Sequence, residues 1–140
     1  MNGEIRIGII GADTSHVTAF TKLINDASDP AHIPGGKVVA AYKGGSPDVE
    51  SSRTRVDGYA EQLASKWNVE IVADIPTLLS KVDAILLESV DGRAHLPNAS
   101  EFVVQAGETK IAVQTVGFKR RVLYAPLARR DLRIANHLYL

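Results

Sequence analysis

The chain of 140 residues contains no cysteine, which excludes disulfide bonds, thiolate metal ligands and a cysteine nucleophile. It also lacks any apolar run long enough to span a membrane. Acidic Glu4 precedes a strand pattern, which is unlike a secretory signal. The remaining composition is that of an ordinary globular chain, long enough for one domain with its own core. We therefore expect a cytoplasmic location and no membrane partner.

The chain also lacks net charge, but its charges are unevenly distributed. Residues 1–107 carry 9 Lys and Arg against 14 Asp and Glu, a balance of −5, whereas residues 108–140 carry 7 against 2, a balance of +5. This change of character near Gly107 predicts a folded domain over 1–107 and an atypical basic tail over 108–140. The tail has no interleaved aromatic residues and no recognised nucleic-acid motif, so we expect no nucleic-acid partner.

The most informative stretch runs from a strand through a glycine into a helix. Residues 5–10 form a β-branched apolar run, Gly11 follows, and residues 17–27 have the apolar spacing of an amphipathic helix. Strand, glycine turn and helix open many nucleotide-binding α/β domains, because a helix N-terminus favours phosphate. The G-x-G-x-x-G fingerprint is nevertheless incomplete, since Asp13 and His16 stand at its second and third glycine positions. A carboxylate at Asp13 argues against standard dinucleotide binding.

Strand and helix patterns alternate through the rest of the first domain. Further strands are predicted at 37–42, 69–72 and 83–89, helices at 53–67 and 95–106, and a short helix near Pro76. This alternation predicts an α/β fold, a doubly wound, Rossmann-like parallel sheet in three layers. Ligands of such sheets bind beyond the carboxyl ends of the strands, here residues 11–16, 42–45 and 88–93.

Several features in the same order resemble the N-terminal domain of Gfo/Idh/MocA oxidoreductases. They are residues 5–11 (IRIGIIG), the Asp-Thr-Ser-His run at 13–16, residues 84–91 (AILLESVD), His95 and the helix end at 105–107 (QAG). The resemblance covers roughly residues 4–107. It implies an NAD(P)-binding Rossmann domain, followed by a larger α+β substrate domain. It also implies reversible hydride transfer at a carbinol carbon of a sugar, inositol or related polyol.

The chain departs from this family at two functional positions. Gln114 and Thr115 stand where the family's Lys-Pro pair is expected, so we assign no catalytic residue and expect the chain to be inactive alone. Residues 42–45 (YKGG) replace the acid that usually binds the ribose hydroxyls. Two interpretations of Lys43 stand: a partner for the 2′-phosphate of NADP, or a solvated loop lysine.

We expect the cofactor, NAD or NADP, to contact the loops at the carboxyl ends of the strands. The candidate residues are Gly11, Asp13, Thr14, Ser15, His16, Lys43, Ser89, Val90 and Asp91. The polar run at 13–16 has two interpretations, a helix-capping cluster or amides that hold a phosphate while Asp13 points away or binds a sugar hydroxyl. The backbone of Ser89 and Val90 would then follow the nicotinamide ribose. No metal site is expected, because no HExxH or paired-His spacing is present.

We suggest a reading-frame shift near Gly107, for three reasons. The family resemblance stops there, the sign of the charge changes, and the sequence ends soon afterwards. A neighbouring frame without a Lys-Pro segment would disprove that hypothesis. Otherwise the tail predicts one edge strand over 110–116 and a loose helix over 123–140. A second hypothesis for the whole chain is a non-catalytic Rossmann-like module that binds a nucleotide or a protein. An open sheet edge on a truncated domain would favour a homo-oligomer.

Overall fold

A computed structural model of the chain describes residues 3–91, 93, 94 and 111–114. In chain order the elements are β1 (Ile5–Ile10), α1 (His16–Asn25), β2 (Gly36–Tyr42), α2 (Glu50–Arg53), α3 (Val56–Trp67), β3 (Glu70–Val72), α4 (Ile75–Lys81), β4 (Ala84–Leu87) and β5 (Ile111–Gln114). The predicted helices at 95–106 and 123–140, and His95, lie outside the described residues.

The strands form a parallel sheet in the order β3-β2-β1-β4-β5. The α/β Rossmann-like fold predicted from the alternation of strands and helices is therefore confirmed. From β1 the chain moves outward to β2 and β3, and then crosses back to β4 on the other side of β1. The order in which the chain adds strands thus reverses between β1 and β4. In open α/β sheets, ligands bind in the crevice at the carboxyl ends of the two strands that flank this reversal.

Two apolar clusters, one on each face of the sheet, hold the helices in place. Val17 of α1 and Leu63 of α3 pack with Ile9 and Leu86 on one face. Leu78 of α4 packs with Ile10 and its neighbours on the other. Successive strand residues face opposite sides, so the almost continuously apolar β1 and β4 supply both clusters. Helices on both faces give the three predicted layers.

A bulge in β2 changes which of its residues share a face. The pairing with β1 shifts by one residue, so that Ile7 lies opposite Val38 but Gly8 lies opposite Ala40. Val39 is the extra residue, and it packs beside Ala40 on the α4 face. A bulge inserts one unpaired residue and re-aims the side chains beyond it.

One predicted helix begins later in the structure, and a separate short helix precedes it. The helix expected over 53–67 is α3, which begins at Val56, whereas the short α2 ends at Arg53. The Thr54 hydroxyl donates a 2.8 Å hydrogen bond to the Glu50 carbonyl, a local bond that competes with helix continuation. Within the described residues, no helix is long and apolar enough to cross a membrane.

Candidate functional site

Gly11 forms the turn that leads from β1 toward α1. Its φ of +89° lies in the left-handed region that glycine adopts without penalty. The Gly11 amide donates to the Tyr42 carbonyl at 3.0 Å, and the Ala12 amide donates to the Lys43 carbonyl at 2.8 Å. A side chain at Gly11 would collide with Ser89, because its Cβ would lie 2.6 Å from the Ser89 backbone nitrogen. Gly11 therefore brings the ends of β1, β2 and β4 close together.

Asp13 lies at the centre of this contact and is almost completely buried, with 1% of its surface exposed. One carboxyl oxygen accepts the Val90 amide at 2.9 Å, and the other accepts the Ser52 hydroxyl at 2.6 Å. The Ser52 oxygen in turn accepts the Ser46 amide at 2.7 Å. Asp13 thus joins three loops that follow three different strands. A contact between this carboxyl and a cofactor would require the network to open.

The rest of the polar run lies at the start of α1. The Thr14 hydroxyl accepts the His16 amide at 2.9 Å, whereas the Ser15 hydroxyl makes no capping bond. The His16 ring lies 5.8 Å from the Phe20 ring and is exposed. Among the described residues, no acceptor pairs with the backbone amides of Asp13, Thr14 or Ser15. Thr14 therefore supports the capping interpretation, while the amides of Thr14 and Ser15, outside the buried Asp13, stay open to an anion.

Lys43 lies beside a cavity at the carboxyl ends of β2 and β3. The cavity measures about 420 Å³ and is lined by residues 42–44 and 71–73. The Lys43 ammonium donates to the Asp57 carboxylate at 2.6 Å, and both side chains are largely exposed. The solvated-lysine interpretation therefore describes Lys43 in this structure. The pair is weak enough for a ligand to replace, since exposed ion pairs contribute about 0–1 kcal/mol.

A second cavity, of about 340 Å³, lies at the opposite end of the sheet. It is lined by Arg6, Val39, Ala40, Glu70, Ser80 and Lys81. Because it is remote from the carboxyl ends of the strands, we do not consider it a candidate nucleotide site, and its residues can serve as controls in binding experiments.

Glu88 follows β4 directly and was not among the predicted site residues. Its amide donates to the Ile10 carbonyl at 2.9 Å, so Glu88 lies beside the end of β1, at the point where the order of the strands reverses. The residue is 2% exposed, and neither carboxyl oxygen has a hydrogen-bond partner among the residues that the structure describes. Burial raises the pKa of Glu88 to about 8, because the charged form loses its hydration. Perturbed carboxyl groups in such crevices are candidates for function.

Asp91 and Arg93 connect the loop after β4 to the loop after β2. The Arg93 guanidinium donates to Asp91 through Nε and Nη2, and to Asp48 through Nη2 at 2.9 Å. Hydrogen bonding to Arg93 lowers the pKa of Asp91 to about 2. Arg93 was not predicted as a site residue, although it lies inside the 88–93 segment expected to line the crevice.

The structure brings most of the predicted residues into one region. Gly11 lies against Ser89, and Asp13 binds the Val90 amide. Thr14, Ser15 and His16 follow directly in the chain. Lys43 and Asp91 border the same region from the loops after β2 and β4. Within the described part of the chain, no group of three or more His, Asp or Glu side chains is placed to hold a metal ion.

Neither the known protein families nor the curated proteins with which the chain was compared include a match.

Proposed function

We propose that this chain is the nucleotide-binding domain of an NAD(P)-dependent oxidoreductase similar to the Gfo/Idh/MocA family. The observation that carries the proposal is the Gly11 turn into α1, which lies next to an open cavity at the carboxyl ends of β2 and β3. In open α/β sheets this is where mononucleotide halves bind. A cytoplasmic location and self-association through a sheet edge remain predictions of the sequence.

The cavity beside Lys43 suits the adenosine half of a dinucleotide. It measures about 420 Å³ and is wide open to solvent, so a ligand there would lie on the surface. Tyr42 offers an aromatic surface, and the exposed Ile71 offers an apolar one. Lys43 would supply a cation for a 2′-phosphate if it exchanged Asp57 for the ligand, which would favour NADP over NAD.

The pyrophosphate does not fit the loops as they stand. The open amides of Thr14 and Ser15, at the start of the ten-residue α1, are suitable donors. However, Asp13 fills the position of the second glycine, and its bonds to Ser52 and Val90 join the flanking loops. Binding of a complete dinucleotide therefore requires these loops to separate.

Hydride transfer would need groups from outside the described residues. Gln114 ends β5 in register with Leu87, at the position where the resemblance places a lysine. The proposal therefore assigns cofactor binding to this chain, and the reaction on a polyol to a complete relative with a substrate domain.

A second candidate function is a non-catalytic module that binds a nucleotide or a protein. The buried Asp13 network favours it, because this network occupies the space that the glycine fingerprint keeps free. Such a module would bind a mononucleotide in the cavity without NAD(H) or NADP(H) selectivity.

Titration of the full chain with NADH, NADPH and AMP tests the proposal, with nicotinamide fluorescence and melting temperature followed together. A saturable response to NADH or NADPH, tighter than that to AMP, is expected, because a ligand of the folded state raises its stability. The exposed Ala73 lines the cavity, so Ala73→Phe should weaken binding, whereas Ala19→Phe on exposed α1 should not. Equal binding of AMP and the dinucleotides would favour the second candidate, and no response to any of them would reject both.

A further inference from the structure

We propose that Arg93 is a phosphate-binding residue of the crevice and that it exchanges Asp48 for the phosphate of the incoming nucleotide. This inference rests on the proposed function, because it names the side chain that would meet the anionic part of the ligand.

The position of Arg93 follows from the order of the strands. β2 and β4 flank β1, and Arg93 in the loop after β4 reaches Asp48 in the loop after β2. The ion pair therefore bridges the two loops that flank the end of β1, where Gly11 and Asp13 lie. The loop after β2 also carries Ser46, whose amide donates to Ser52, the partner of Asp13, so the same loop is joined to the segment that leads into α1.

The two carboxylates hold Arg93 unequally. Asp91 is only 10% exposed and receives both Nε and Nη2, so it anchors the guanidinium. Asp48 is 65% exposed, receives Nη2 alone, and faces an arginine that is 66% exposed. Exposed single-contact pairs of this kind are screened by water and contribute little to stability. The bond to Asp48 is therefore the one that a ligand can replace.

The charges of the cluster explain why an exchange is required. Arg93 with Asp91 and Asp48 carries one positive and two negative charges, which leaves a net negative charge that repels a phosphate. Once Asp48 is displaced, Nη2 is released, and Nη1 donates to none of the described residues. A guanidinium held at one edge by Asp91 can then bind two phosphate oxygens in a fork, the geometry for which arginine is suited.

Three single substitutions in the full chain test the exchange. Asp48→Asn removes the competing charge and should lower the Kd for NADH or NADPH by about threefold or more. Arg93→Gln removes the phosphate ligand and should raise that Kd by about tenfold or more. Arg6→Gln is the matched control, because Arg6 forms a similar exposed pair with Asp83 at the start of β1, and it should leave the Kd unchanged.

The same variants are titrated with inorganic pyrophosphate by calorimetry, and their urea midpoints show whether each is folded. If Arg93→Gln proves unstable, Arg93→Lys, which keeps the charge but loses the fork, should still weaken binding.

A Kd that rises equally in Asp48→Asn and Arg93→Gln would show that the ion pair only holds the two loops together, and would overturn the inference. So would an unchanged Kd in Arg93→Gln. If pyrophosphate binding depends on Arg93 while no dinucleotide binds, the proposed function fails, and of the inference only the phosphate-binding role of Arg93 stands. If neither probe binds wild type or Asp48→Asn, the inference also fails.

Discussion

Asp13 and Val90 are joined by a 2.9 Å hydrogen bond although they lie 77 residues apart in the chain. The bond connects the turn after β1 to the loop after β4, and Ser52 extends it to the loop after β2. In a dinucleotide-binding turn, bare backbone at the position of Asp13 would face the pyrophosphate. Here a buried carboxyl holds the loops to one another instead. The Asp13 carboxyl therefore affects both properties: its hydrogen bonds stabilise the loops, and the same bonds must break before a dinucleotide can bind between them.

Replacement of either side chain in the Asp13–Ser52 hydrogen bond should destabilise the protein. Asp13→Asn keeps one acceptor oxygen but places a donor against Ser52 or Val90, and should lower the free energy of unfolding by roughly 1–3 kcal/mol. Ser52→Ala removes two hydrogen bonds, the one to Asp13 and the one from the Ser46 amide, and should cost about 1–3 kcal/mol. Urea unfolding measures both. Asp57→Asn, at an exposed ion pair, is the control and should cost less than about 0.5 kcal/mol. An Asp13→Asn variant as stable as wild type would refute this structural role.

Gly11 and Gly35 form a matched pair for testing the close approach of Ser89. Both have positive φ, +89° and +97°, but only Gly11 has Ser89 against it, while nothing lies within 4 Å of a Cβ at Gly35. Gly35→Ala should cost about 1 kcal/mol for its backbone conformation alone. Gly11→Ala should cost about 1–3 kcal/mol more, because the loop after β4 must move. Equal urea midpoints for the two variants would contradict the contact.

Glu88 predicts a fall in stability as pH rises. Its pKa is about 8 in the folded protein and 4.5 as the ordinary value, so between these the folded state keeps a proton that the unfolded chain releases. The free energy of unfolding therefore decreases with pH over this window, by at most about 1.4 kcal/mol per unit, and levels off above it.

The Glu88→Gln variant isolates this effect. A neutral amide of the same shape should flatten the profile and leave the variant more stable than wild type near pH 8. Urea unfolding at pH 5, 7 and 9 measures the slopes, with the exposed Glu61→Gln expected to keep the wild-type slope. If wild type and Glu88→Gln give parallel profiles, the Glu88 carboxyl does not stay protonated in the folded protein.

The regular elements could be predicted because their signals are local. The bounds of β1 are those of its apolar run. The β2 strand begins one residue before the prediction, and α1 begins one residue and ends two residues before it. The separate α2 could not be predicted, because its four residues (ESSR) carry no apolar pattern and its Ser52 bonds to the distant Asp13. A hydrophobic pattern identifies the face of a helix but does not reveal such a tertiary constraint.

The candidate site was predicted in outline, since the strand ends identify the loops that meet. The partners within it were not, because Asp13 with Ser52, Arg93 with Asp48 and the burial of Glu88 all depend on distant parts of the chain. Asp13 could be singled out only as an exception to the glycine fingerprint. At Asp13 the local turn pattern calls for glycine, whereas the tertiary structure uses a carboxyl group to join three segments. Such conflicts are typical of functional or strained sites.

The most direct test of the account is a two-dimensional NMR spectrum of the ¹⁵N-labelled full chain, recorded during titration with NADH and NADPH. We predict saturable shifts of the Thr14, Ser15, Lys43 and Gly44 amides, which border the open amide positions and the cavity after β2. Residues around the cavity at the other end of the sheet, such as Arg6 and Lys81, should not shift. Shifts confined to that opposite end, or no saturable shift with either cofactor, would contradict a nucleotide site at the crevice.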